Sequence, residues 1–149
     1  MSRAYARKRL LLLALPLSLG CASSSGTGTG GADAAAPTLN GCTPGSFVSG
    51  ATASTVDFGG QGGSPLFGYA PACLRVSRGS TVTFAGDFSV HPISPGTSPQ
   101  ATTAGTANNP IVATASGMSL AVTFATAGTY PYFCEMHYAA GMAGVILVD

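Results

Sequence analysis

From Cys42 to Asp149 the chain alternates between apolar and polar residues in short runs of period two, the pattern of strands with one buried face. Thr81-Val82-Thr83-Phe84-Ala85 puts Val82 and Phe84 on one side, and Leu120-Ala121-Val122-Thr123-Phe124 repeats the pattern. Thr52–Phe58 is rich in small and β-branched residues and stops at Gly59-Gly60. Cys73–Val76 stops at Ser77-Arg78-Gly79-Ser80, and with Thr81–Ala85 it is predicted to form a hairpin. Further strands are predicted at Phe88–Ile93, Tyr130–Cys134 and Val145–Val148, with a short apolar piece at Leu66–Tyr69 and a fragment at Ile111–Ala113. Gln61–Pro65 and the Pro-, Gly-, Ser-, Thr- and Asn-rich stretch Ser94–Asn109 read as loops. Pro92 and Pro131 are expected at strand ends or edges, because neither has the N–H that a central ladder needs. No stretch after Cys42 carries a helical period. Many short strands separated by turns predict an all-β sandwich or barrel.

The first forty residues follow a different pattern. Arg3, Arg7, Lys8 and Arg9 precede an apolar run from Leu10 to Leu19, the order of a secretory signal over 1–20. The run is about half of the roughly 20 residues that a spanning helix requires. Leu17-Ser18-Leu19-Gly20-Cys21 resembles a bacterial lipobox, with Ser18 where such sequences favour Leu. An ordinary signal cut nearby is the alternative. In the lipoprotein reading Cys21 is acylated, and the lipid is the only link to a membrane. Ala22 after the Cys resembles the outer-membrane sorting pattern. Residues 21–41 are nearly free of large apolar side chains and read as a flexible linker ahead of a folded domain at 42–149.

Only 7% of the residues are charged, and the formal net charge of +1 misleads. Four of the six basic residues precede Cys21, so the exported chain keeps Arg75 and Arg78 against Asp33, Asp57, Asp87, Glu135 and Asp149, a net charge of −3. This balance offers no basic patch for nucleic acid.

The four cysteines divide among three roles. With Cys21 as lipid acceptor and Cys134 as a metal thiolate, Cys42 and Cys73 are left to pair in an oxidising compartment. The rival assignments make Cys42 and Cys73 further metal ligands, or place Cys134 in a disulfide. Cys134-Glu135-Met136-His137-Tyr138-Ala139-Ala140-Gly141-Met142 gathers a thiol, an imidazole and a thioether in nine residues. These donors suit a copper ion that moves between Cu(I) and Cu(II), and a trigonal site needs one more imidazole. The chain has two histidines, so the second is His91. The expected site is His91, Cys134 and His137, with Met142 as a weak axial ligand. Glu135 reads as a solvated loop acid, and Met118 and Met136 as packing or surface residues.

Gly128-Thr129-Tyr130-Pro131-Tyr132-Phe133-Cys134-Glu135-Met136-His137-Tyr138-Ala139-Ala140-Gly141-Met142-Ala143-Gly144-Val145-Ile146 resembles the C-terminal signature of the cupredoxins. Its Cys-x2-His-x4-Met spacing is that of the plastocyanin and pseudoazurin branch, and Val90-His91-Pro92 resembles the upstream histidine region. The resemblance is clearest over 128–148, extends over 73–93 and is absent before Cys42. It implies a Greek-key β-sandwich, one mononuclear type 1 copper held by His91, Cys134, His137 and Met142, and single-electron transfer by a monomer. It also implies an electron port at His137, with Tyr138, Ala139, Ala140 and Met142 as candidates for the apolar patch around it. Partners would be redox proteins such as cytochromes or copper and haem reductases and oxidases, met at the periplasmic face of a membrane, the outer one favoured. Copper sequestration or delivery is the second reading. A copper enzyme would need a second histidine-rich centre, and both histidines are already used. Two positions depart from the family. Pro92 stands where an Asn amide often braces the two ligand loops, and Met136 stands where Pro often precedes the loop histidine.

Overall fold

The structure, a computed structural model, describes residues 38–51, 53–98 and 107–149. The predicted signal, Cys21, most of the predicted linker and residues 99–106 of the predicted loop lie outside the described residues.

The alternating segments pair into two sheets around one core. The strands are β1 (Val48–Ser49), β2 (Ala53–Phe58), β3 (Tyr69–Ala70), β4 (Cys73–Val76), β5 (Ser80–Ala85), β6 (Ile93–Pro95), β7 (Ser119–Phe124), β8 (Gly128–Cys134) and β9 (Ala143–Val148). One sheet has the order β1-β4-β9-β8-β6, the other β3-β2-β5-β7. Among the described residues the only helical elements are two 3₁₀ turns, Gln61–Gly63 and Tyr138–Ala140. The fold is therefore the expected all-β sandwich. Strand β5 alternates as its sequence does, with Ser80, Val82 and Phe84 inward. Val56 and Phe58 from β2, Val122 and Phe124 from β7, and Tyr130 and Tyr132 from β8 complete the middle of the core. Tyr132 meets Tyr69 at 4.9 Å and Phe84 at 5.0 Å between ring centroids, both edge-on, the arrangement that ring quadrupoles favour.

Four expectations need correction. Cys73–Val76 and Thr81–Ala85 do not form a hairpin. β4 lies parallel to β1 and β9 in one sheet, while β5 lies between β2 and β7 in the other. The turn between them is a corner, because Gly79 N donates to Phe124 O (2.8 Å) and Arg78 N to Asp149 O (3.1 Å), at the ends of strands in different sheets. Both strands thus face the same core across the sandwich. Leu66 and Phe67 are exposed, and of that apolar piece only Tyr69 pairs, with Ala70 after it forming β3. Ile111–Ala113 forms no strand; Ile111 is buried, and the pairing to Ile93 is made by Thr114. Pro131 sits in the middle of β8, an interior strand. It is tolerated because it lies beyond the pairing of β6, which spans only Tyr132 to Cys134, and its partner Val145 donates to Ala72 instead. Pro92 sits just ahead of β6, as expected.

Cys42 and Cys73 are joined by a disulfide that closes a sequence separation of 31 residues. It ties the segment before β1 to β4. Closing a loop of that size limits the unfolded chain, for which the entropy model gives about 3–4 kcal/mol. Replacing both cysteines by Ser is expected to lower the unfolding free energy of the metal-free protein by about that amount in urea titration. An unchanged midpoint would refute the assignment of stability to this bridge.

Candidate metal centre

The two ends of the loop between β8 and β9 are held together before any side chain is considered. Cys134 is the last residue of β8, and its N–H donates to Met142 O at 2.9 Å. Met142 N donates to His137 O (3.2 Å), and His137 N to Cys134 O (3.3 Å). The 3₁₀ turn Tyr138–Ala140 ends at Gly141, whose φ of 87° is left-handed and favours glycine. The loop is thus a short closed ring that presents Cys134, His137 and Met142.

His91 arrives from elsewhere. The predicted strand Phe88–Ile93 is instead a turn over 88–91 followed by β6. Asp87 makes that turn: its Oδ1 accepts from Ser89 N (2.9 Å) and Ser89 Oγ (2.6 Å), and its carbonyl accepts from Val90 N (3.3 Å) and His91 N (3.0 Å). These Ser89 bonds also hold the Asp87 carboxyl below its ordinary range. Gly59 closes the space behind the ring: an added Cβ there would lie 2.8 Å from His91 Cδ2 and 3.0 Å from Nε2. The imidazole is left to present Nδ1 to the loop. Sequence reading saw Gly59 only as the end of a strand.

The donor atoms converge. His91 Nδ1 lies 3.1 Å from His137 Nδ1, and Cys134 Sγ lies 3.4 Å from His137 Nδ1 and 4.0 Å from His91 Nδ1. A point equidistant from the three lies about 2.1 Å from each, within the roughly 2.0–2.3 Å typical of bonds from a first-row metal ion to imidazole nitrogen or thiolate sulfur. Among the described residues this is the one group of three or more His, Cys, Asp or Glu side chains close enough to share a metal. Cys134 and Met142 are 0% exposed and His91 is 3% exposed, while His137 is half-buried. Burial pushes the Cys134 thiol up, against backbone donors from Met136 and His137. Burial, with repulsion from His137, pushes His91 down. Without metal the cluster therefore favours a neutral imidazole at His91 and a protonated thiol. Binding a metal displaces the thiol proton. Two imidazoles and one thiolate, mostly out of water, suit copper.

The bracing left open by Pro92 comes from two other contacts. Ser94 Oγ donates to Glu135 Oε1, and Glu135 N donates to Pro92 O at 2.9 Å. Glu135 is exposed but is not simply a solvated acid, because it links the segment after His91 to the residue after Cys134. Met136 is 69% exposed, a surface residue. Met142 is fully buried, so it cannot belong to the surface patch. Tyr138 is half-buried, and Ala139 and Ala140 are exposed. Phe67, missed from sequence, lies against His137 with ring centroids 4.7 Å apart and an interplanar angle of 34°. Its exposure beside a glycine- and proline-rich loop left no periodic signal.

The family described as copper binding proteins, plastocyanin/azurin family, matches residues 54–149. Chloroplastic plastocyanin of Physcomitrium patens is 34% identical over 106 residues, covering 68% of this chain and 61% of that protein. Plastocyanin of Prochlorothrix hollandica is 35% identical over 82 residues, covering 54% of this chain and 63% of that protein. The chain thus spans about three fifths of the length of these two relatives. A solved pseudoazurin structure from Methylobacterium extorquens AM1 is 20% identical, with a TM-score of 0.47, covering 65% of this chain and 75% of that one.

A double-mutant cycle of Ser94→Ala and Glu135→Ala is expected to give a coupling energy of about 1 kcal/mol in urea unfolding of the metal-free protein. Strictly additive losses would mean that the Ser94–Glu135 bond contributes nothing to holding the two ligand segments.

Proposed function

The chain belongs to the plastocyanin/azurin family of copper-binding proteins, and from that premise we propose that it carries single electrons on one type 1 copper held by His91, Cys134 and His137, with Met142 as axial ligand. The observation that carries this reading is the convergence of both histidines of the chain and its one free described cysteine within 4.8 Å of one another. Copper in such a site supplies a one-electron couple between Cu(II) and Cu(I).

The chain's own residues supply the rest. The donors are already placed by backbone bonds at both ends of the loop and by the Asp87 turn, so little rearrangement accompanies a change of charge. Buried Cys134, His91 and Met142 keep water from the centre. His137 is the ligand nearest solvent and is the proposed electron port, flanked by Tyr138, Ala139 and Ala140. Phe67 and Met136, 49% and 69% exposed, add apolar surface from neighbouring positions. Such a surface suits brief docking of a cytochrome or of a copper or haem reductase or oxidase. With both histidines in one cluster, none is left for a second copper centre, which supports a carrier rather than a catalyst.

The basic n-region, the apolar run to Leu19 and the lipobox-like stretch support export over 1–20, acylation at Cys21, and a linker over 21–41 that tethers the domain at 42–149 to the periplasmic face of a membrane. Among the described residues no helix is long and apolar enough to cross a membrane.

Adding Cu(II) to the metal-free domain is expected to give an intense visible absorption from the thiolate–copper bond, and Cys134→Ala is expected to abolish it. A colourless product with only a weak ligand-field band would overturn the type 1 assignment. Stopped-flow reduction followed by reoxidation by a cytochrome then separates carrier from copper handling: sluggish exchange, with copper lost to mild chelators, favours handling. For the tether, fractionation of bacterial cells is expected to leave the full chain with membranes and to release Cys21→Ser. Equal recovery of both in the soluble fraction would sink the lipid anchor.

A further inference from the structure

Residues 38–49 lie ahead of residue 54, where the family match begins, yet they are bonded into the body of the domain. Leu39 and Cys42 pair across a tight turn, N–H to carbonyl in both directions at 3.2 and 2.8 Å. Asn40 sits in that turn with a left-handed φ of 48°, a conformation that Asn tolerates better than most residues. The disulfide to Cys73 fixes the base of the turn to β4.

The Asn40 side chain reaches three segments far away in sequence. Its Nδ2 donates to Gly96 O (3.0 Å), Tyr132 O (2.8 Å) and Gly144 O (3.0 Å), two hydrogens shared among three carbonyls. Its Oδ1 accepts from Ser98 N at 2.8 Å. Ser98 Oγ in turn donates to Tyr138 O at 3.0 Å, inside the closing loop. A continuous path of hydrogen bonds therefore runs from the disulfide-bound turn, through Asn40 and Ser98, to the residue next to His137. None of these groups is a proposed ligand.

We propose that Asn40 is a positioning residue for the metal loop, the centre of a clasp that holds the loop from its outer side. The clasp's bearing on copper rests on the reading that this loop binds it. β8 and β9 fix the two ends of the loop, and between them Tyr138–Gly141 is bonded within its own turn and, through Gly141 O, to Ala143 N at the start of β9. Ser98 supplies an external partner there, and Asn40 holds Ser98 in place. Opening of the loop, the motion that lets copper leave, then requires the clasp to break as well.

Two variants test this. Asn40→Gly keeps the left-handed turn and deletes the amide, and Ser98→Ala removes only the bond to Tyr138. In the metal-free protein, hydrogen exchange at Ala140, Gly141 and Met142 is expected to rise about tenfold in Asn40→Gly, and measurably in Ser98→Ala, while the β5 amides of Val82 and Phe84 stay within about twofold of wild type. In the loaded protein, transfer of copper to a chelator is expected to speed up by a similar factor. Unchanged loop exchange in both variants, or an equal rise in loop and β5, would overturn the clasp. The exchange experiment needs no copper, so a wild-type protein that failed to bind the metal would overturn the copper reading while exchange alone decided the clasp.

Discussion

The bond from Cys134 N to Met142 O carries more consequence than any other single contact in the molecule. It makes the last residue of β8 and the residue before β9 neighbours, and so fixes how wide the loop between them can be. Three of the four proposed ligands lie on or within that ring. The ring cannot supply a second imidazole, because His137 is its only histidine. The second imidazole has to come from the other side of the site, which is why β6 pairs along the free edge of β8 from Cys134 backward and why His91 stands just before it. The donor triangle is thus a product of sheet register, and a one-residue slip of β8 would turn Cys134 away from the core.

Register alone would leave the two ligand segments free to move apart at their ends. In this chain the join is made by the Ser94 hydroxyl on the Glu135 carboxylate and by the Glu135 N–H on the Pro92 carbonyl. Pro92 has no N–H to donate but still offers its carbonyl, which accepts from Glu135 N, and the Ser94 hydroxyl two residues along adds a side-chain bond to the same Glu135. Met136 has no such compensation: it is exposed, and its effect is to place a flexible apolar side chain beside the ligand nearest solvent.

What was legible in the sequence, and what was not, follows the range of the interactions involved. β5, β7, β8 and β9 are written in local alternation or in β-branched runs, and the loop spacing from Cys134 to Met142 is local too. The corner at Ser77–Ser80 is not. Two alternating runs with a four-residue turn fit a hairpin and a crossover equally well, and the choice is made by Phe124 and Asp149, far along the chain. His91 stands on a turn where a strand was expected, because Phe88, Val90 and Ile93 mimic a strand while the Asp87 carboxylate bends the backbone. Asn40 was hidden for a different reason. It follows a polar, low-complexity stretch, and its partners are carbonyls of Gly96, Tyr132 and Gly144, which no side-chain pattern can announce.

Asn40 also accounts for a feature of β9 that the sandwich alone leaves unexplained. Ala143–Val148 is buried at nearly every position, although a strand in a two-layer sandwich should cover only one face. The outer face of this sheet is shielded by the segment from Thr38 to Phe47, which forms with Val145, Leu147, Thr129 and Arg75 a groove of about 570 Å³. That shield needs a fixed position to be of use, and it has two fastenings, the covalent one at Cys42 and the hydrogen-bonded one at Asn40. The covalent bond holds the shield to β4, on the far side of β9 from the metal loop. The Asn40 amide bonds to the carbonyls of Tyr132 in β8 and Gly144 in β9, and on to Ser98. The same segment therefore covers apolar surface at one end and restrains the loop at the other, and the second effect runs through the Asn40 side chain.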